Sequence, residues 1–469
     1  MKYNVLKEVI VMSKFYDLIP SQETMYLMQK YTLHKQIVQI PSAFSVDMDV
    51  DFNTLLKALN IEIERNDSLR LRFKKNGKKI QQYFLDEYKL DSVKILTFKT
   101  ETEQNEFFEK DAKKPVKFMK DECYRFYFFN GYNGYKGIYS NVSHMAMDAM
   151  GILVCYLDLL SVYKALKDGT ELPAPLCKYE DYIIKEHERC ANKERFEKDR
   201  QFYDEYFRSA GEPSYCGVHG PEFLEKERIK KKNPDLKVPS AYNPLLDKAD
   251  VLQKKVSPEL SRKILEFCKA RSVAPESLML LGMRTHLSWL NGRDPYGFQM
   301  LMCSKRIRKT DMRTGGCMAQ PIQVRTVLSE DMTFQEGLDE FLHVRTSLYK
   351  HLSYPYIAAR DQSREIFGFS MIQGPAALMF SWLPIPVTEL TEFKFDFKTY
   401  NLGRYFSPLY AICYPDPRSE SLMLHYMYRV KLITPEHLDA LHTNTLKIIE
   451  KGIENPDITI GELLDSLNG

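Results

Sequence analysis

The chain has 469 residues, more than a single hydrophobic core normally supports, and this length predicts at least two lobes. Hydrophobic residues make up 44% and charged residues 28%, which are ordinary values for a folded protein. The 66 basic residues nearly cancel the 63 acidic ones, so the charge balance argues against a nucleic-acid partner. The densest basic run, at 226–232, is interrupted by Glu227 and Ile229 and is predicted to be a solvated loop.

The nine cysteines form no C-x-x-C pair, and their number is odd. This pattern predicts neither a disulfide framework nor a zinc site, and it favours a reducing, cytoplasmic location. Lys7 and Glu8 interrupt the apolar N-terminal stretch, which is therefore not expected to be a signal peptide. No apolar run approaches the ~20 residues that span a bilayer, so no transmembrane segment is expected.

The first part of the chain alternates predicted strands and helices. A helix is predicted to begin near Ser21, followed by a β-like segment at 37–50 and a helix capped by Asp51. Asn76-Gly77 predicts a hairpin between strands at 69–73 and 81–84. A second hairpin, with strands at 123–129 and 137–142, leads into His144, and a helix is then predicted to end at Asp168-Gly169.

The rest of the chain repeats this alternation. A charged helix is predicted at 185–207, and a loop-rich stretch at 211–250 is the predicted lobe boundary. Helices at 257–272, 275–291, 333–350 and 435–453 are interleaved with strands at 296–302, 320–327, 376–383, 406–414 and 420–430. The pattern predicts an α/β (α+β) protein with an N-terminal lobe at 1–184, a connector at 185–250 and a C-terminal lobe at 251–469.

His144 follows the end of a predicted strand, and Asp148 lies four residues later at the start of a predicted helix. An imidazole can accept a proton from an amine or a hydroxyl near neutral pH, and the aspartate can fix the turn that directs it. Because a His-x-x-x-Asp pair is common, the spacing alone also fits a histidine that merely stabilises a turn.

Seven fragments, taken in order, resemble the condensation-domain branch of the chloramphenicol-acetyltransferase-like acyltransferases, which includes the condensation domains of nonribosomal peptide synthetases. They are the opening helix motif at 21–27, the R-H-x-x-L-R-x-x-F element at 65–73, the H-H-x-x-x-D-G motif at 143–151, the Y-x-D-Y element at 179–182, the G-x-x-x-N-x-x-x-x-R loop and strand at 315–325, the H-Q-D-Y-P-F stretch at 351–356 and the R-D-x-S-R element at 360–364. The chain departs from the family pattern at Ser143, which replaces the first histidine, at Ala149, which replaces the glycine, and near Cys317 and Gln320, where the usual asparagine falls.

The resemblance implies two acyltransferase-like lobes in a V-shaped arrangement with a tunnel between them. His144 would be the catalytic base or would position the acceptor, and Asp148 would form a structural salt bridge with Arg306 or Arg308 of the other lobe. Oxyanion or substrate contacts would come from the backbone near Gly151, from Ser143 or from Ser381, although a strand hydroxyl bonded to a neighbour explains Ser381 equally well. Met145, Met147 and Met150 fit an apolar acyl channel and fit ordinary core packing nearly as well.

The resemblance therefore implies transfer of an acyl group from a thioester to an amine without a metal or a bound cofactor. The donor would be acyl-CoA or the phosphopantetheine arm of an acyl or peptidyl carrier protein, supplied in trans, and the acceptor a small-molecule amine or alcohol. The family leads us to expect a monomer. Two alternatives stay open, an O-acyltransferase that makes an ester and a catalytically silent module that binds a carrier protein, which the changes at Ser143 and Ala149 would permit.

Overall fold

The computed structural model describes residues 14–120, 122–240, 245–371, 373–385 and 394–468. The N-terminal segment that we predict not to be a signal peptide lies outside these residues. The strands are β1 (Tyr16–Asp17), β2 (Gln39–Val46), β3 (Leu71–Asn76), β4 (Lys79–Phe84), β5 (Ile95–Thr97), β6 (Tyr124–Asn130), β7 (Lys136–Ser143), β8 (Ala249–Lys255), β9 (Phe298–Ser304), β10 (Ala319–Arg325), β11 (Leu378–Trp382), β12 (Phe395–Thr399), β13 (Leu409–Pro415) and β14 (Leu422–Arg429).

The helices alternate with these strands along the chain, as the sequence predicts. They are α1 (Pro20–Tyr31), α2 (Phe52–Arg65), α3 (Glu101–Ala112), α4 (Ala149–Asp168), α5 (Tyr179–Ala191), α6 (Lys193–Arg208), α7 (Glu222–Lys231), α8 (Pro258–Ala270), α9 (Pro275–Leu290), α10 (Phe334–Lys350), α11 (Tyr356–Phe367), α12 (Pro435–Glu454) and α13 (Ile460–Asp465). Short 3₁₀ helices lie at Lys35–Val38, Asp67–Arg70 and Asp311–Arg313. The mixed α/β fold class is confirmed.

The N-terminal sheet has the strand order β12-β2-β7-β6-β5, and its central strand β7 leads to the predicted site. Tyr156 of α4 stacks on Phe44 of β2 with ring centroids 5.4 Å apart, so the long apolar helix lies against the sheet. Both predicted hairpins are confirmed: β3 pairs with β4, where Gly77 adopts φ +58°, and β6 pairs with β7. Gly169 ends α4 in the left-handed conformation, as its sequence position indicates.

α4 is the one helix in the described ranges that is long and apolar enough to cross a membrane. Within the fold, 67% of its apolar window is buried, and it contacts α2 along its length. The same composition suits a helix that forms part of a protein core.

β12 comes from the C-terminal part of the chain but extends the N-terminal sheet. It pairs antiparallel with β2, and Phe397 lies opposite Phe44 in the register. The sequence does not predict this strand, because a five-residue segment paired with one about 350 positions away leaves no local signal. The predicted boundaries of the lobes therefore stay predictions, with β12 as a segment that crosses between them.

The C-terminal sheet has the order β10-β9-β11-β13-β14-β8, and β11 is parallel to both of its neighbours. One face carries Leu301, Phe380 and Ala411, which pack into the core formed with the helices. The opposite face carries Met302 and Ile412, which pack against the N-terminal core. Because side chains alternate along a strand, residues of this second face point toward the other lobe.

The connector differs from the sequence prediction in two ways. The single helix predicted at 185–207 is two helices, α5 and α6, and Asn192 caps the second by accepting a hydrogen bond from the Arg195 N–H. The predicted loop at 211–250 contains α7, so the interpretation of the basic run at 226–232 as a loop is wrong. Glutamates spaced three or four residues from its cations, such as Glu222 and Lys226, favour a helix on an exposed surface.

Candidate active site

His144 lies in the short turn that joins β7 to α4. Its backbone N–H donates to the Val38 carbonyl at 3.1 Å, and the N–H of Ser143 donates to the Cys123 carbonyl at 2.7 Å. Asp148 then caps α4, because its side chain accepts a hydrogen bond from the Gly151 N–H at 2.7 Å. The backbone is thus held on both sides of His144.

The buried Asp148 carboxylate joins the two lobes. It accepts hydrogen bonds from Arg306 Nη1, at 2.8 and 2.7 Å, and from the Met318 N–H at 2.7 Å. Its own backbone N–H donates to the Gly316 carbonyl at 3.2 Å. Burial raises the pKa of Asp148, but the Arg306 guanidinium and the backbone donors outweigh burial and hold that pKa below its ordinary value.

The loop between β9 and β10 reaches the start of α4 because two glycines permit close packing. A Cβ on Gly315 would lie 2.3 Å from Asn66 Oδ1, and one on Gly316 would lie 2.2 Å from the Tyr179 ring. Gly316 also has a φ of +91°. The Tyr179 hydroxyl donates to the Cys317 carbonyl at 2.9 Å, so the residues matched at 65–73, 179–182 and 315–325 meet at one place.

The His144 imidazole is half-buried: protein atoms surround it, yet it retains solvent-accessible surface. Burial lowers its pKa from the ordinary 6.5, while the nearby Asp148 charge and a backbone hydrogen bond partly oppose the shift. At neutral pH the ring is therefore neutral, the form that can accept a proton. Cys317 Sγ lies 3.7 Å from Nδ1, a contact that the sequence analysis did not anticipate.

The structure corrects two of the three predicted oxyanion or substrate contacts. The Gly151 N–H is already bonded to Asp148, and a Cβ at this position would lie 2.6 Å from the Gly316 carbonyl, so Gly151 serves the close approach of the loop. Ser143 is 1% exposed, and its hydroxyl oxygen accepts a hydrogen bond from the Met145 N–H, so it does not reach substrate. Ala149 is the first residue of α4 and has no positive φ, so it imposes no strain.

Ser381 lies half-buried on the sheet face directed toward the N-terminal lobe, with its hydroxyl 3.5 Å from the Met302 carbonyl. The Tyr410 hydroxyl also contacts it. Its role toward an oxyanion stays a prediction. Met145 and Met147 belong to the core, at 0% and 1% exposure, so they do not line a channel.

Arg306 and Arg308 have different surroundings. Arg306 is the partner of Asp148 and is 7% exposed. Arg308 is exposed and lines a surface groove with Lys185 and Arg195, so it is not the cross-lobe partner. Among the residues with described positions, no group of three or more His, Cys, Asp or Glu side chains is arranged to hold a metal ion.

The model of the family described as "Condensation domain" matches residues 12–217. The chain belongs to the condensation-domain family. It is 22% identical over 474 residues to surfactin synthase subunit 1 of Bacillus subtilis, with 96% of this chain and 12% of that protein covered. One plipastatin synthase subunit of the same organism is 20% identical, with 96% and 17% covered. This condensation-domain chain thus spans less than a fifth of the length of these two relatives.

Solved condensation domains share the fold. The first condensation domain of the calcium-dependent antibiotic synthetase, in complex with a substrate analogue, superposes with a TM-score of 0.77 at 16% identity, covering 96% of this chain and 99% of that one. VibH, a condensation enzyme of nonribosomal peptide synthesis, gives a TM-score of 0.71 at 16% identity, covering 95% and 98%. A starter condensation domain of rhizomide synthetase in complex with C8-CoA gives 0.76 at 15% identity, covering 96% and 97%.

Proposed function

We propose that this chain is an acyltransferase that moves an acyl group from a thioester to an amine, with His144 as the group that accepts the proton of the amine. The observation that carries this proposal is the His144 ring itself. It is solvent-accessible, it is neutral at pH 7 because burial lowers its pKa, and it lies where the loop of one lobe meets the turn of the other.

The fixed backbone around His144 suits this chemistry. A base must lie within hydrogen-bond reach of the proton it takes, and a small displacement costs much of the rate. The bridge from Asp148 to Arg306 holds the β7–α4 turn against the β9–β10 loop, and both side chains are almost fully buried. We assign Asp148 and Arg306 the role of positioning residues.

The surface that faces the N-terminal lobe suits an apolar acyl group. Met300, Met302, Ile412 and Met427 lie half-buried on that face of the C-terminal sheet. Methionine side chains are flexible and adapt to ligands of different shape. Ser381 and Tyr410 supply hydroxyl groups on this wall, and Ser381 is our proposed donor to the oxyanion.

We propose that the donor is either an acyl-CoA or the phosphopantetheine thioester of an acyl or peptidyl carrier protein. The likeness to a starter domain solved with C8-CoA supports the first source, and the likeness to part of surfactin synthase supports the second. Neither source requires a bound cofactor. We also propose that the protein acts in the cytoplasm as a monomer; its nine cysteines are all unpaired, as a reducing compartment favours.

The test is an assay of the purified chain with pooled acyl-CoA and acyl-carrier-protein thioesters and a panel of amines and alcohols, with products identified by mass spectrometry. We expect an amide product with the wild type and none with His144→Ala. His343→Ala, which removes an exposed histidine, is the matched control and should keep full activity. Circular dichroism and thermal midpoints check that both variants fold.

The same assay separates the alternatives. Ester products from the alcohols, with no amide, would show an O-acyltransferase. Failure of every donor, together with tight binding of a carrier protein, would support the silent module. Equal turnover by wild type and His144→Ala would refute the role given to His144.

A further inference from the structure

Cys317 is buried beside the reactive imidazole. It is 0% exposed, and its Sγ lies 3.7 Å from Nδ1 of His144. The residue follows Gly316 in the loop that also bonds to Asp148. Because the thiol has no accessible surface and burial raises its pKa, it does not reach a thioester as a nucleophile, and any influence on catalysis passes through the imidazole.

The contact between sulfur and Nδ1 can take two forms, and they have opposite consequences. If the thiol donates to Nδ1, the ring carries its proton on Nε2 and that nitrogen has no free lone pair. If Nδ1–H donates to the sulfur, the lone pair of Nε2 is free to accept a proton. A neutral imidazole has one donor and one acceptor nitrogen, so the contact at Nδ1 decides which nitrogen is the base.

Two further hydrogen bonds favour the second form. The backbone carbonyl of His144 accepts a hydrogen bond from its own ring, and only Nδ1, the nitrogen next to the backbone, can reach it. The backbone N–H of Ala319 donates to Cys317 Sγ, so the sulfur already acts as an acceptor. A sulfur atom accepts N–H groups weakly but at the longer distance seen here.

We propose that Cys317 is a positioning residue whose sulfur, together with the His144 carbonyl, holds the proton on Nδ1 and leaves Nε2 free as the base. This inference rests on the proposed function, which makes His144 the base, but it concerns the state of the ring and can be measured without turnover.

The test uses protein labelled with ¹⁵N in its histidines and two-dimensional ¹H–¹⁵N spectra that distinguish the two neutral tautomers; the His144 signals are assigned by their loss in His144→Ala. The wild type should show the Nδ1–H tautomer. Cys317→Ala should raise the Nε2–H population, and Cys317→Ser, which restores an acceptor, should recover part of the wild-type state. Cys413→Ala, which removes a fully buried thiol from the core of the C-terminal lobe, is the control and should leave the tautomer unchanged.

Kinetics provide a second readout. Loss of one weak hydrogen bond to the base should lower kcat by about threefold to tenfold in Cys317→Ala, with KM unchanged. The acid limb of the pH profile should move to lower pH, because the sulfur stabilises the protonated ring. Cys413→Ala should change neither quantity.

Opposite results would overturn the inference. A wild-type His144 in the Nε2–H form excludes it, as does a Cys317→Ala spectrum identical to that of the wild type. If Cys317→Ala does not fold, the wild-type tautomer and Cys317→Ser still decide. If the wild type transfers no acyl group, the proposed function fails while the spectra continue to test the contact.

Discussion

The Asp148 carboxylate and the Arg306 guanidinium form a buried ion pair at 2.7 Å, with side chains that are 3% and 1% exposed. Asp148 belongs to the first turn of α4, and Arg306 to the loop between β9 and β10. The pair thus fixes the two segments that surround His144.

We expect Asp148→Asn and Arg306→Gln each to lower the free energy of unfolding by about 3–5 kcal/mol, because each leaves one buried partner without its counterpart. The double variant should lose less than the sum of the two, since it leaves no uncompensated charge. Denaturant titration measures these changes. Arg208→Gln, which breaks an exposed pair with Asp204, is the control and should change stability by about 0.5 kcal/mol or less.

The same carboxylate gives a pH dependence of stability. The pKa of Asp148 is lower in the folded state than in the unfolded state, so its contribution is present above the unfolded pKa and is lost as pH falls through the folded pKa. The difference in thermal midpoint between wild type and Asp148→Asn should therefore shrink on acidification below about pH 4, near the ordinary aspartate pKa. A difference that stays constant into strong acid would contradict the ion pair.

Activity should depend on pH with the sign set by His144. Burial lowers the pKa of the imidazole below 6.5, so the neutral base persists to lower pH than for an exposed histidine. We expect the acid limb of kcat/KM to have its midpoint below pH 6.5, measured across a series of buffers at constant ionic strength. A midpoint above that value would show that Asp148 stabilises the protonated ring more than burial destabilises it.

Gly316→Ala should abolish activity and destabilise the fold strongly. The backbone has φ +91°, and the new methyl group would collide with the Tyr179 ring. Gly77→Ala is the matched control: its φ is +58° with nothing within 4 Å, so it measures the backbone cost alone, about 1 kcal/mol. Equal losses of stability in the two variants would show that the loop can move away from Tyr179.

Tyr179→Phe removes the hydroxyl that donates to the Cys317 carbonyl and leaves that buried carbonyl without this donor. We expect a loss of stability of about 1–3 kcal/mol and a lower kcat, because the loop beside His144 is held less firmly. Thermal denaturation and initial rates measure the two effects. Tyr296→Phe, at an exposed tyrosine, is the comparison and should show neither.

Local features of the sequence were sufficient for the elements that surround the site. The hairpin strands β6 and β7, the aspartate at the start of α4 and Gly169 at its end follow from turn, capping and periodicity signals within a few residues. The same reasoning missed α7, because its apolar residues Phe223, Leu224 and Ile229 show no strong helical face among so many charges.

The sequence by itself determined that a histidine ends a strand and an aspartate begins the next helix, because both depend on neighbours close along the chain. Only the tertiary structure decided that Arg306, and not Arg308, pairs with Asp148, that the Gly151 N–H is already occupied, and that Cys317 touches His144. These contacts join residues of separate lobes, up to 173 positions apart, or depend on which donor wins a shared acceptor. Long-range packing sets such choices, and no local pattern encodes them.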